Sequence, residues 1–232
     1  MIRAVIFDKD GTLFDFQATW GAWAETMLTE LAGPDQILLH RLSRALGYDL
    51  KTRRFRPDSF VIADTAEAVA VVLAAEMPGH RPEDILDRLN AAAAEAPLVE
   101  AAPLVPLLLE LQSRGLGLGV VTNDAEAPAR AHLAEAGVLD AFDFIAGYDS
   151  GFGAKPAPQP LLAFARALGL PPSDIVMVGD STHDLKAGRA AGMATLGVLT
   201  GPAEAPELAP WADAILPHVG HLPEWLDRRT RP

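Results

Sequence analysis

The chain of 232 residues contains no cysteine. That excludes disulfide frameworks, thiolate metal sites and cysteine nucleophiles together, and fits a cytoplasmic protein. It also has no apolar run long enough to cross a bilayer, and strand-like sequence starts at Ala4, which we read as leaving no room for a secretory signal. Basic residues are scarce: 19 Lys and Arg against 31 Asp and Glu give a net charge of −12. A field of that sign disfavours nucleic acid and anionic membrane surfaces as partners. An acidic protein can still handle phosphates where a metal and a few cations reverse the local field. There is no GxSxG and no P-loop, and the glycines 115, 117 and 119 precede a strand instead of following one, as a dinucleotide site requires. What the chain does have is apolar residues, half of the total, enough for one sizeable core or a core with a small second domain.

The stretch 3–15, RAVIFDKDGTLFD, organises the rest. Ala4–Phe7 is apolar, branched and aromatic, the composition of a buried strand, and it stops at Asp8, Lys9, Asp10 and Gly11. Two carboxylates at a strand's C-terminal end sit where parallel α/β sheets bind ligands. One can attack while the other manages a proton, and a hard divalent cation can hold them together. Gly11 lets the backbone turn sharply.

The following block is helical in pattern. Helices are expected over 19–31, ended by Gly33-Pro34; over 35–46, with Asp35 as N-cap; over 65–77; and over 82–95. Between them lies a basic patch at 51–57, and no strand pairs are expected in the block. From Ala102 helix and strand alternate. Helices are expected at 103–113, 126–136, 160–168 and 184–191, and strands at 117–121, 142–145, 175–178, 195–199 and 214–216. The end, 228–232, reads as a frayed tail. Such alternation implies a parallel sheet covered on both faces, and right-handed crossovers line the strands' C-terminal ends along one edge.

That edge would gather distant residues. Thr122 and Asn123, after the 117–121 strand, offer a hydroxyl and backbone N–H groups to phosphoryl oxygens, though capping the next helix is the plainer use. Lys155, before Pro156 in a Gly-rich loop, can set an ammonium against a phosphate and the nucleophile; taken alone it reads as a solvated lysine. Asp180 ends a strand and Asp184 follows four residues on, in GDSTHD. Mg²⁺ takes oxygen ligands in octahedral array, which Asp8, the Asp10 carbonyl and Asp180 would supply, with Asp184 direct or through water. His183 reads as a solvent-facing helix-start residue, and the remaining histidines, His132 among them, show no ligand spacing.

The ordered set DxDGT, a strand ending in Thr, a Lys-Pro loop and GDxxxD resembles the haloacid dehalogenase superfamily of phosphohydrolases, from Arg3 to about Gly197. The resemblance implies a Rossmann-like parallel-sheet core, 1–14 and 98–232, interrupted by a helical cap over 15–97. It implies Asp8 as nucleophile, Asp10 as acid/base, Thr122 and Lys155 as phosphate holders with Asn123 and Gly11 at the substrate, and Asp8, Asp10, Asp180 and Asp184 around Mg²⁺. An acid at position 10 separates phosphate-ester cleavage from the dehalogenases and phosphonate-cleaving members. Within the superfamily the layout is similar to phosphoglycolate phosphatases, implying a small phosphorylated acid whose carboxylate Lys51, Arg53, Arg54 or Arg56 could pair; a solvated basic turn is the other use of those four. The chain departs from that layout after Asp15, where Phe16 and Gln17 replace a small hydroxyl residue. Phe16, Trp20 and Trp23 fit either a reshaped pocket entrance or the cap's own core. A phosphosugar mutase would share every catalytic residue but needs extra cations near the hinge, and 15–21 has none. A non-catalytic binding protein need not keep Asp8, Asp10, Lys155 and Asp180 together. Oligomeric state is not legible.

Overall fold

The computed structural model describes residues 1–230 except 57, 63 and 94–97. In chain order the elements are β1 (Ala4–Phe7), α1 (Phe16–Ala32), α2 (Gln36–Ala45), β2 (Tyr48–Asp49), β3 (Arg54–Phe55), α3 (Ala66–Glu76), α4 (Pro82–Ala93), α5 (Leu104–Ser113), β4 (Gly117–Val121), α6 (Glu126–Glu135), β5 (Phe144–Ala146), α7 (Gln159–Leu168), β6 (Ile175–Gly179), α8 (Thr182–Ala191), β7 (Ala194–Val198), α9 (Ala205–Leu208), β8 (Ala214–Leu216) and α10 (Leu222–Thr230).

Six strands form one sheet in the order β5-β4-β1-β6-β7-β8, with every pairing parallel. β1 is central because all four of its residues are apolar and fully buried, so it needs cover on both faces. Its neighbours come from far along the chain: Val5 lies opposite Leu118 of β4 and Val176 of β6. The chain winds outward from β1 through β4 to β5, then returns to β1's other side for β6, β7 and β8. Strand order therefore reverses around β1, and the C-terminal ends of β4, β1 and β6 border a crevice where ligands bind in folds of this kind.

The sheet packs on each face against an apolar cluster, one centred on Val5, Phe7, Leu118 and Val176 and the other on Ala4, Ile6, Phe164 and Met177. A third cluster, built on Phe16, Trp20, Leu28, Leu42, Leu73 and Ile85, belongs entirely to the block between β1 and α5. That block thus has its own core. α1 starts where Asp15 accepts a hydrogen bond from Ala18 N–H at 2.8 Å, a side-chain N-cap that satisfies one of the helix's open donors.

The structure corrects the sequence reading in several details, and α1 begins at Phe16, three residues before the expected start. The helical block contains a strand pair: Tyr48 faces Phe55 and Asp49 faces Arg54 in a short antiparallel hairpin. Strands of two residues are too short to show alternation, and Gln17 on α1 acts as a substitute neighbour, its amide oxygen accepting from Phe55 N–H (3.0 Å) and its amide nitrogen donating to Phe55 C=O (2.9 Å). β5 begins at Phe144, since a 3₁₀ turn holds Leu139–Ala141. α8 begins at Thr182, two residues before Asp184, because Ser181 caps it. Residues 228–230 continue α10. Helix α4 is described to Ala93, so the end expected at Glu95 lies outside the described residues. Among the described residues no helix is long and apolar enough to cross a membrane.

Candidate active site

Three strand ends deliver the first residues. β1 delivers Asp8, whose N–H donates to Val178 C=O at 2.9 Å and ties the loop to β6. β6 delivers Asp180, which is 1 % exposed. β4 delivers Thr122, buried, with its N–H bonded to Ala146 C=O and its hydroxyl oxygen accepting from Asp124 N–H, each at 3.0 Å. Gly11 lets the loops approach: its φ is +81°, and a Cβ there would run into the Asp180 carboxylate.

Lys155 is buried and bridges two acids. Its Nζ lies 2.7 Å from Asp8 Oδ1 and 2.6 Å from Asp184 Oδ1. The lysine backbone is clamped by Asn123, whose Nδ2 donates to Lys155 C=O and whose Oδ1 accepts from Lys155 N–H, both at 2.9 Å. Asp184 is held in turn by the start of α8: its Oδ2 accepts from Ser181 N–H (3.0 Å) and Ser181 Oγ (2.7 Å), a reciprocal capping box.

Burial with crowding sets the electrostatics. Burial pushes the Asp8 carboxyl up to about 7; Lys155 opposes this, while Asp184 and Asp10 add to it. Asp180 is raised well above its usual range, first by burial and then by the charges of Asp8 and Asp184. Burial lowers the Lys155 ammonium, but Asp184 and Asp8 outweigh it, and the net shift is upward. Three carboxylates and one ammonium share this space, so negative charge is in excess.

That excess suits a hard cation. Asp8, Asp180 and Asp184 each bring a carboxylate oxygen within 4.8 Å of the others. Asp180 Oδ1 accepts from Thr12 Oγ1 at 3.3 Å, whereas its Oδ2 is buried with no hydrogen-bond partner. A buried orphan carboxylate oxygen beside two further carboxylates fits Mg²⁺, which takes oxygen ligands.

The Asp10 carboxylate stands apart from this trio. It accepts from Trp20 Nε1 at 2.7 Å and is gripped by Lys9, whose Nζ lies 2.9 Å from Oδ1 and 2.7 Å from Oδ2. Lys9 is fully buried, and the same ammonium meets His132 Nδ1 at 3.0 Å and Asp124 Oδ2 at 3.4 Å. The other ring nitrogen of His132, Nε2, lies 2.6 Å from Ala93 C=O at the end of α4. Because a carbonyl can only accept, Nε2 carries the proton and Nδ1 accepts from Lys9. Burial and the neighbouring ammonium lower the His132 pKa, in keeping with a neutral ring. This chain, from Asp10 through Lys9 and His132 to Ala93, links the strand-end loop to the helical block.

Every residue expected at the site except Gly11 and Asp180 lines one cleft between the sheet edge and the helical block: Asp8, Asp10, Thr122, Asn123, Lys155 and Asp184. Gly11 and Asp180 do not reach its lining. The Gly11 N–H is taken by Phe14 C=O at 2.7 Å and the Thr122 N–H by Ala146, so neither is offered to a ligand; Gly11 contributes shape and Thr122 its side chain. His183 is half-buried in the cleft wall, with Nδ1 buried and unpartnered, instead of facing solvent. Lys51, Arg53, Arg54 and Arg56 stay outside the cleft; Arg53 pairs with Glu25 and Arg56 with Asp58 on the surface. Phe16 and Trp20 serve in both of the ways open to them, in the block's core and in the cleft wall. Sequence reasoning passed over Lys9, Asp124 and His132. The available signal was Lys9 itself, a charge fixed between two acids directly after a fully apolar strand, which has to find partners indoors.

The chain is similar to known proteins in sequence and in fold. A family model described as haloacid dehalogenase-like hydrolase matches residues 2–192. A phosphoglycolate phosphatase of Neisseria meningitidis is 34% identical over 228 residues, covering 96% of this chain and 92% of its own. An N-acetylmuramic acid 6-phosphate phosphatase of Pseudomonas aeruginosa is 30% identical, covering 98% of this chain and 96% of its own. Among solved structures, a predicted phosphoglycolate phosphatase from Haemophilus somnus superposes with a TM-score of 0.74 at 21% identity, covering 97% of this chain and 98% of its own. With the six-stranded parallel sheet and the acids at its switch point, these matches make the chain a member of the haloacid dehalogenase-like hydrolase family.

Proposed function

We propose that this hydrolase is a Mg²⁺-dependent phosphatase that cleaves a small phosphate monoester through an aspartyl-phosphate on Asp8, with residues 15–97 acting as a cap over a core formed by 1–14 and 98–232. One observation carries the reading: the Lys155 ammonium joins Asp8 and Asp184 at 2.7 and 2.6 Å beside the unpartnered Asp180 oxygen. That arrangement combines a nucleophile, a fixed cation and a set of oxygen donors, which is what in-line attack on a phosphate dianion requires.

Asp8 attacks phosphorus as the ester P–O bond breaks, and Asp10 delivers a proton to the departing alkoxide. Water then attacks the same phosphorus, Asp10 takes its proton, and Asp8 is released as a carboxylate. Lys155 and the Thr122 hydroxyl hold the non-reacting phosphoryl oxygens, and Asn123 fixes the lysine. Asp8, Asp180 and the Asp10 carbonyl, with Asp184 directly or through water, would hold Mg²⁺, which would supply neutralising charge there. Trp20 and Lys9 hold the Asp10 carboxylate in the cleft wall.

A mutase handling a bisphosphate would need a second cationic anchor. Among the described residues lining the cleft Lys155 is the only lysine or arginine, which favours hydrolysis. The names of the relatives make 2-phosphoglycolate the reference ester and a phosphorylated amino sugar the second. The test is release of inorganic phosphate from a panel of monoesters with Mg²⁺ and with chelator. Mg²⁺-dependent turnover supports the proposal; its absence across the panel contradicts it.

A further inference from the structure

The cleft has two unlike ends. At the sheet edge lie the acids and Lys155. Above them the wall is apolar, formed by Phe16, Trp20, Trp23, Phe55, Ile62 and Leu89, in a cleft of about 850 Å³ including its mouth. A leaving group bound there meets aromatic and aliphatic surface, and burying a charge against such surface without a partner is unfavourable. The charges that do line the cleft are of the wrong sign for an anion: Asp10, Asp64 and Asp124 join Asp8 and Asp184. Lys155 is the one ammonium or guanidinium among the described lining residues, and both Asp8 and Asp184 already hold it. The undescribed residues of this block, Pro57, Ala63 and 94–97, include no basic one.

Two polar atoms interrupt the apolar wall without partners of their own. Trp23 Nε1 is a buried donor and Asn90 Oδ1 a buried acceptor; neither atom makes a hydrogen bond, although both residues line the cleft and the Asn90 amide nitrogen is taken by Tyr148. Buried polar groups in proteins are normally paired, so an unpaired donor and acceptor in a cleft wall point to a ligand that completes them. A neutral hydroxyl or amide can serve both; a carboxylate can accept from the indole but only repels the amide oxygen.

We propose that the apolar upper cleft, with Trp23 Nε1 and Asn90 Oδ1, selects phosphate monoesters of uncharged, largely apolar alcohols carrying one neutral hydrogen-bonding group, in preference to esters whose alcohol bears a carboxylate. The inference rests on the phosphatase reading for its reaction and concerns only the alcohol half of the ester. Comparing benzyl phosphate, 4-(hydroxymethyl)benzyl phosphate, 4-carboxybenzyl phosphate and 2-phosphoglycolate, all esters of primary alcohols, probes it.

Binding is measured by calorimetry on Asp8→Asn with Mg²⁺, and turnover on the wild type. The expected result is at least tenfold tighter binding of the two neutral benzyl esters than of 4-carboxybenzyl phosphate and 2-phosphoglycolate, the hydroxymethyl ester being the tightest. Equal or tighter binding of the carboxylates overturns the inference, whatever the turnover. The predicted binding order without hydrolysis of any ester supports the cleft assignment while contradicting the phosphatase reading. Ile62→Arg places a cation in the wall and is expected to reverse the order of benzyl and 4-carboxybenzyl phosphates. Trp23→Phe, a smaller change that keeps the ring, is expected to remove only the advantage of the hydroxymethyl ester. Retention of the wild-type order in both variants counts against it.

Discussion

Replacing Lys9 by methionine tests the part of the site that only the fold makes visible. Methionine keeps nearly the length and flexibility of the lysine stem and removes the charge. In the wild type that charge sits within 2.7–2.9 Å of both Asp10 oxygens and 3.4 Å from Asp124, with no solvent exposure. Removing one member of a buried ion pair costs about 3–5 kcal/mol, since the partner is left uncompensated in a poor dielectric. The loss has a ceiling, because a stranded carboxyl can take up a proton; at about pH 7.5, starting from an ordinary carboxyl near pKa 3.9, that escape costs about 5 kcal/mol. Burial already raises Asp124, with Lys9 as the main opposing influence, so Asp124 is the acid expected to protonate. For a chain of this size each kcal/mol is about 2–4 °C of melting temperature, giving a drop of roughly 6–20 °C. The assay is thermal unfolding at about pH 7.5 of Lys9→Met, Asp124→Asn and the double variant. The double variant is expected to recover part of the stability lost by Lys9→Met, because it removes one stranded charge. It is not expected to recover turnover, because Asp10 still lacks its ammonium; a misdirected acid/base costs about 10²-fold in kcat. Unfolding within 1–2 °C of the wild type together with unchanged kcat would refute the reasoning.

Further predictions concern the acid trio and its lysine. In chelator, Asp8 binds a proton when folded over a range in which the unfolded chain does not, from about 4 up to about 7, so its contribution to stability is full at low pH and is lost as pH rises through that range. The melting temperature of Asp8→Asn minus that of the wild type, both metal-free, should therefore grow between about pH 5 and pH 8; a flat difference contradicts the Asp8 shift. Saturating Mg²⁺ should stabilise the wild type more at about pH 7.5 than at about pH 5.5, since protons compete for the same oxygens. Lys155→Met strands Asp8 and Asp184 and should cost about 3–5 kcal/mol in chelator, with partial recovery on adding Mg²⁺ and a loss of about 10²–10³ in kcat. Gly11→Ala forces a Cβ into the Asp180 carboxylate at φ +81° and should weaken Mg²⁺ activation at least tenfold; an unchanged Mg²⁺ titration would show that the acid does not need that space.

The parts of this site that sequence reveals are those fixed by local rules. Asp8 and Asp180 stand out because each ends an apolar strand abruptly, and a parallel sheet brings such ends together whatever lies between them. Asp184 is less distinct in sequence, since one carboxylate both completes the Ser181 capping box and touches Lys155. Lys155 could not be distinguished from a solvated lysine by its neighbours in sequence; only the Asn123 clamp, thirty-two residues away, turns it inward. The partners of Lys9 are less legible still: His132 is 123 residues distant on α6, and its other nitrogen reaches main chain rather than a side chain. The hairpin at 48–55 is not legible in sequence because four strand residues carry no period, and its pairing is completed by Gln17, a helix side chain. Basic residues at 51–56 looked like carboxylate receptors from their charge alone, whereas side-chain direction sends them to the surface.

In the proposed reaction Asp8 takes the phosphoryl group. Rapid acid quenching of the wild type during turnover of a hydrolysed monoester with Mg²⁺, followed by peptide mass analysis, tests it most directly. One phosphoryl group is expected on the peptide spanning Arg3–Asp15, lost in Asp8→Asn along with turnover. A phosphoryl group on a different peptide, or undiminished turnover by Asp8→Asn, would contradict it.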